Sequence, residues 1–203
     1  ARGRIRYHHF GEGNYAESEK VIQRLLAENG RAVGDMRTVT VRTKGASAAA
    51  SWNDVRSAET YLGHLRAERF ASPGGFVRDT GHEYVAPPRL PLNAWALAGR
   101  WLVGSEYATA QSTGARIVYR FHARDLHLVL GPSATGRRVR FRVTIDGKPP
   151  AGDHGTDIND AGNGMIEGQR LYQLVRQKSA VRERTFAIEF LDPGAQAFAF
   201  TFG

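Results

Sequence analysis

The chain has 203 residues, 41% of them hydrophobic, which suits one large or two small globular domains. It has no cysteine, so disulfides, thiolate metal sites and cysteine nucleophiles are excluded within it, and no apolar run reaches the roughly 18 residues that a membrane-spanning helix needs. The 28 Lys and Arg against 20 Asp and Glu give a net charge of +8, yet acidic residues stand close to many of the arginines, and no helix-turn-helix, RNP-type aromatic motif or zinc pattern accompanies the charge, so nucleic acid is not the expected partner.

In chain order, Arg4 to Phe10 alternate in character behind Gly3 and predict a strand. Beyond Gly11 and Gly13, Asn14 is placed to cap a helix. Val21, Ile22, Leu25 and Leu26 recur on one face of it, with Glu17, Glu19, Lys20 and Arg24 on the other and Gly30 as a stop. One strand and one helix of about fifteen residues cannot bury a core. Their apolar faces need a partner, whether another segment, a part of a larger protein, or a second copy in a homodimer. The start at Ala1, with neither an apolar signal core nor an initiator Met, is read as the mark of a piece of a longer protein. His8 and His9 are neighbours on the predicted strand and point to opposite faces, so they do not make two ligands for one ion.

From 31 to 91 the pattern is irregular and reads as a partly structured connector. Met36 to Thr43 predicts a short strand, Gly45 to Ser51 is small-residue linker material, Ser72-Pro-Gly-Gly75 marks a turn, and Pro87, Pro88 and Pro91 mark entry into the next domain. A connector of about 60 residues is long for pure linker, so part of it is expected to pack.

Residues 92–203 read as successive strands. Ile117, Tyr119, Phe121 and Ala123 alternate with Val118, Arg120 and His122; Val139, Phe141, Val143 and Ile145 alternate with Arg138, Arg140, Arg142 and Thr144. Leu126, Leu128 and Leu130 give a strand closed by Gly131-Pro132. Phe186, Ile188 and Phe190 give another before Asp192-Pro-Gly194, and Phe198, Phe200 and Phe202 end the series. The predicted fold is mainly β, an antiparallel sandwich of jelly-roll type.

Trp95, Trp101, Glu106 and Arg120 are the candidate ligand-binding residues. An exposed indole can stack on a sugar ring while a carboxylate and a guanidinium bond its hydroxyls. The competing reading puts both tryptophans in the core and makes Glu106 and Arg120 a structural pair. The loop from Asp153 to Glu167 resembles a calcium loop only in part. With Asp157 in the first position, Asn159 falls third and Gly162 sixth, but Ala161 and Gly168 stand where ligands belong, and Asp157 is as well placed to hold Arg170 or a backbone turn. No nucleophile elbow, Walker loop, dinucleotide fingerprint or His-Glu-x-x-His is present; Glu183, Glu189 and Asp192 could in principle pair as glycosidase acids, but sequence does not place them at the needed separation, and hydrolase activity is not expected. No cofactor is implied.

Gly3 to Gly30, Thr60-Tyr-Leu-Gly63, Trp101-Leu-Val-Gly-Ser-Glu106, Asp146-Gly147, Gly155-Thr-Asp157, Arg170-Leu-Tyr172 and the closing Phe198-Ala-Phe-Thr-Phe-Gly203 are similar in order and spacing to the C-terminal region of DipZ-type, thioredoxin-like proteins of cytochrome c biogenesis. The resemblance implies that 1–30 is the last strand and helix of a thioredoxin-like α/β domain and that 92–203 is a jelly roll similar in fold to carbohydrate-binding modules. It also implies a parent protein that performs thiol-disulfide exchange with a Cys-x-x-Cys pair absent from this chain, a membrane domain in some members, and an extracytoplasmic location in the periplasm or cell envelope. On that view the chain is a noncatalytic accessory module that positions the redox domain or docks a protein redox partner or a glycan. It meets the membrane only through its parent. Two alternatives stand beside it: a genuine carbohydrate-binding module, and a polyanion-binding surface on the Arg138, Arg140, Arg142 face.

Overall fold

A computed structural model describes residues 3–8, 15–31, 34, 37, 38 and 50–203. They belong to two compact units, Ala1–Ala50 and Ser51–Gly203. The expected cap Asn14, His9 and the strand expected over Met36–Thr43, apart from Arg37 and Thr38, lie outside the described residues.

In the first unit, helix α1 spans Tyr15–Glu28, as the 3.6-residue spacing predicts. Gly30 adopts a positive φ of 72° and the Arg31 N–H returns to the Leu26 carbonyl, which ends the helix with its last carbonyls satisfied. Residues 4–8 pair in no ladder; Arg6 instead forms a two-point ion pair with Glu28 at 2.8 and 3.0 Å. The apolar face remains open, with Ile22 57% exposed.

The second unit is built from eleven strands: β1 (Thr60–Tyr61), β2 (Gly81–Tyr84), β3 (Trp95–Val103), β4 (Ala108–Ala110), β5 (Ala115–Phe121), β6 (Asp125–Gly131), β7 (Val139–Ile145), β8 (Asn163–Ile166), β9 (Arg170–Arg176), β10 (Arg184–Phe190) and β11 (Gln196–Phe202). Hydrogen bonds run through them in the order β8-β7-β10-β5-β3-β4-β11-β6-β9, with β2 beside β3 and β1 beside β11, every strand pair antiparallel. This is the predicted mainly-β, jelly-roll-like sandwich.

Strand β3 serves both layers. Residues 95–98 pair with β5, residues 101–103 pair with β4, and 99–102 pair with β2. The change of partner falls at Gly99, whose φ of +83° and close approach to Ala115 suit a residue without a Cβ. A strand that turns a corner between layers is how such sandwiches close.

The core between the layers is aromatic. Trp101 meets Phe190 edge-on with ring centroids 5.7 Å apart, Phe186 meets Phe200 at 5.8 Å, and Phe141 meets Tyr172 at 6.4 Å. Each pair joins a strand of one layer to a strand of the other, and all six rings are fully buried. Edge-to-face pairs of this kind add about 0.5–1.5 kcal/mol each beyond the area they bury. The expected alternation of Phe198, Phe200 and Phe202 is broken by a register shift in β11 between Ala197 and Ala199, and Phe198 turns to pack on Tyr107 at 5.0 Å.

The compact unit starts at Ser51, well before the expected domain start at 92. Thr60 and Tyr61 pair with β11, Leu62 is fully buried, and its N–H bonds the Phe198 carbonyl. A Cβ on Gly63 would collide with the backbone of Glu106, so the Thr60-Tyr-Leu-Gly63 motif is a strap fitted to the sandwich. Strands of two and four residues carry too little alternation to be read from sequence.

Candidate functional site

The four residues expected to form a ligand surface do not converge. Trp95 and Trp101 are wholly inaccessible, their indole N–H groups bonded to the carbonyls of Glu68 and Ala98 at 2.9 Å each. Neither ring has a face to offer a sugar. Glu106 is exposed in the turn between β3 and β4, and Arg120, on β5, bonds Glu183 at 2.8 Å rather than Glu106.

In the loop that partly matches a calcium site, the oxygens already have partners. Asp157 accepts from the Arg170 guanidinium and from the Gln173 N–H, both at 2.7 Å, and Asn159 Oδ1 accepts from the Asn163 N–H at 2.9 Å. The Asp157 carboxylate raises the Arg170 pKa, and Arg170 also lies over the Tyr172 ring. Among the described residues no group of three or more His, Cys, Asp or Glu is placed to hold a metal ion.

A more substantial cleft lies elsewhere among the described residues. A cleft of about 890 Å³ opens at one end of the sandwich, where the β6–β7 loop, the β10–β11 turn and the strand pair β3–β4 meet. Arg100, Arg137, Arg138 and Arg140 line it together with Thr109, Gln111, Ser133, Thr135 and Asp192.

Its floor is the turn Asp192-Pro-Gly194. The Gly194 N–H bonds the Ala110 carbonyl in one layer at 2.7 Å, and the Leu191 N–H bonds the Arg140 carbonyl in the other at 2.8 Å. Among the described residues Asp192 accepts from Arg140 alone, through Nε, Nη2 and the backbone N–H. Those bonds hold its carboxyl at a pKa of about 2, with the Arg137 charge adding to the effect. At the mouth, the Arg137 N–H donates to the Ser133 hydroxyl, which also bonds the Thr135 hydroxyl.

Apart from Asp192, every charged group lining the cleft is a cation. Arg138 reaches Glu167 at 3.2 Å with both side chains well exposed, a geometry that neutralises little. Arg100 and Arg137 bond no carboxylate among the described residues. Such a site can hold an oxyanion by bidentate guanidinium bonds.

The arginines of β7 and the Asp192-Pro-Gly194 turn are each visible in the sequence, as a charged strand face and as a turn. Their meeting with Arg100 and Gln111 is not. Only the position of Arg100 directly after Gly99 and before Trp101, a charge between a corner and a core residue, marks it in the sequence.

Comparison with known proteins follows the sandwich. Residues 57–203 match the family described as "Thioredoxin like C-terminal domain". Two curated relatives, each named "Protein DipZ", one from Mycobacterium bovis and one from Mycobacterium tuberculosis, are 31% identical over 150 residues. The match covers 73% of this chain and 20% of each relative's own length. Among solved structures, a family two carbohydrate esterase from Clostridium thermocellum is similar at a TM-score of 0.37 and 11% identity, over 48% of this chain and 27% of that one. That likeness is too shallow to support a conclusion about ligand.

Proposed function

The chain belongs to the family of thioredoxin-like C-terminal domains, and from that premise we propose that it is a noncatalytic accessory module of a DipZ-like thiol-disulfide redox protein. The observation that carries the proposal is the match of the whole sandwich, with its Thr60-Tyr-Leu-Gly63 strap, to that family. The chain spans a fifth of the length of its curated relatives and contributes no cysteine, so the dithiol chemistry belongs to another part of the parent. In this reading α1 closes a thioredoxin-like domain, and its open apolar face, with Ile22, Leu25 and Leu26, supports that role. The sandwich stands outside the cytoplasm and holds the redox domain against its protein partner.

The test compares the parent protein with and without residues 57–203. The accessory role predicts that thiol-disulfide exchange on a small disulfide survives within about twofold, while reduction of a protein partner drops. Collapse of the small-substrate rate with the redox domain still folded would assign the sandwich to the catalytic unit. For location, added protease should cleave the sandwich on intact spheroplasts; protection until the membrane is opened would place it inside.

A further inference from the structure

We infer that the arginine-lined cleft binds a small ligand carrying at least two oxyanion groups, phosphate or carboxylate, held between Arg100 on β3 and Arg137 in the β6–β7 loop. Three features of the cleft set this chemistry.

The first is its excess of donors. Four guanidiniums and the Gln111 amide line the space, while its one lining carboxylate, Asp192, already accepts from Arg140 with both oxygens. A ligand rich in acceptor oxygens and negative charge satisfies such a wall. A polypeptide backbone, with one donor for each acceptor, does not.

The second is size. About 890 Å³ lies in the range of roughly 300–1,000 Å³ typical of small-molecule sites. A single phosphate leaves most of it empty, and two arginines that bond no carboxylate line it, so the ligand is assigned two or more charged groups. No aromatic ring lines the cleft, which removes the stacking platform that a neutral sugar uses.

The third is rigidity. The floor is bonded to both layers through Ala110 and Arg140, so Arg140 and the turn are set before a ligand arrives. Asp192 shows how the cleft treats a carboxylate: it is gripped by a side-chain fork and a backbone N–H. The binding does not depend on the redox role of the parent.

The experiment is calorimetric titration of the 203-residue chain at low ionic strength with tripolyphosphate, with citrate and with inorganic phosphate. One of the first two should bind at least about tenfold more tightly than inorganic phosphate, and whichever does so identifies the oxyanion as phosphate or carboxylate. Arg100→Gln and Arg137→Gln, both at exposed positions, should each weaken that binding about tenfold or more. Arg142→Gln, the same charge change on β7 outside the lining, should leave it within about twofold. Amide shifts in the unsubstituted chain should centre on Gln111, Ser133 and Gly194, a readout that does not depend on any variant folding. Absence of millimolar binding for both multivalent probes, equal loss in Arg142→Gln, or shifts spread over the arginine-bearing faces would overturn the assignment.

Discussion

Arg140 holds Asp192 at three points: its Nε and Nη2 donate to the two carboxylate oxygens at 2.9 and 2.8 Å, and its own backbone N–H donates at 3.0 Å. One side chain of β7 thereby fixes the turn that joins β10 to β11. The carboxyl is held at about 2, below its ordinary 3.8, so the folded state binds fewer protons than the unfolded one at low pH. The stabilisation is complete above about pH 4 and is lost as the pH falls through about 2. A carboxyl titration followed by NMR should place the Asp192 midpoint near 2, and Asp192→Asn should flatten the acid limb of the unfolding curve in that window. An unchanged acid limb would mean that the grip contributes nothing.

Trp95 and Trp101 are core residues, so their truncation is a stability experiment. Trp101→Ala removes a buried indole, its edge contact with Phe190 and the bond to the Ala98 carbonyl, and should cost about 3–5 kcal/mol in urea unfolding. Full stability in that variant would place the indole at the surface after all.

At Gly99, alanine should cost about 1–3 kcal/mol, because φ of +83° disfavours an L side chain and the new Cβ would lie 3.1 Å from Ala115 Cα. Thermal unfolding measures this directly. The same substitution at Gly147, where nothing stands within 4 Å, pays only the φ penalty and should cost less.

Truncation separates the two accounts of where the sandwich begins. A chain starting at 51 should fold cooperatively, whereas one starting at 92 lacks β1, β2 and Leu62 and should lose the sharp near-ultraviolet signal of its packed aromatics. Leu62→Ala in the full chain should cost about 2–5 kcal/mol. A stable, cooperative 92–203 fragment would show the strap to be dispensable.

Asp157 is expected to act within the fold. Asp157→Ala leaves the Arg170 guanidinium and the Gln173 N–H without their acceptor and should cost about 1–3 kcal/mol. Added calcium or a chelator should leave the melting temperature of the unsubstituted chain where it was; a calcium-dependent rise would restore the loop as an ion site.

What the sequence revealed follows from periodicity. Strands β5 and β7 are long enough for Ile117, Tyr119, Phe121 and for Val139, Phe141, Val143 to declare their inner faces, and every one of these is buried. Helix α1 declared itself in the same way. The corner in β3 was hidden, because Trp95 to Val103 is a single unbroken strand whose partners change at Gly99, and pairing is a property of other segments. The bulge at Phe198 was hidden for a similar reason: its aromatic alternation continues across a shift in register. The cleft was the least legible part. Its residues come from five stretches of chain, and an arginine on a strand face looks the same whether it meets water or a cavity.

Because β3 is covalently part of both layers, the layers cannot slide past each other without breaking the chain's own ladder at Gly99. Arg100 follows that corner directly, so its backbone is fixed by strand pairing, whereas Arg137 lies in the β6–β7 loop and is tied there to Ser133. Of the two arginines, Arg100 is the fixed jaw of the cleft.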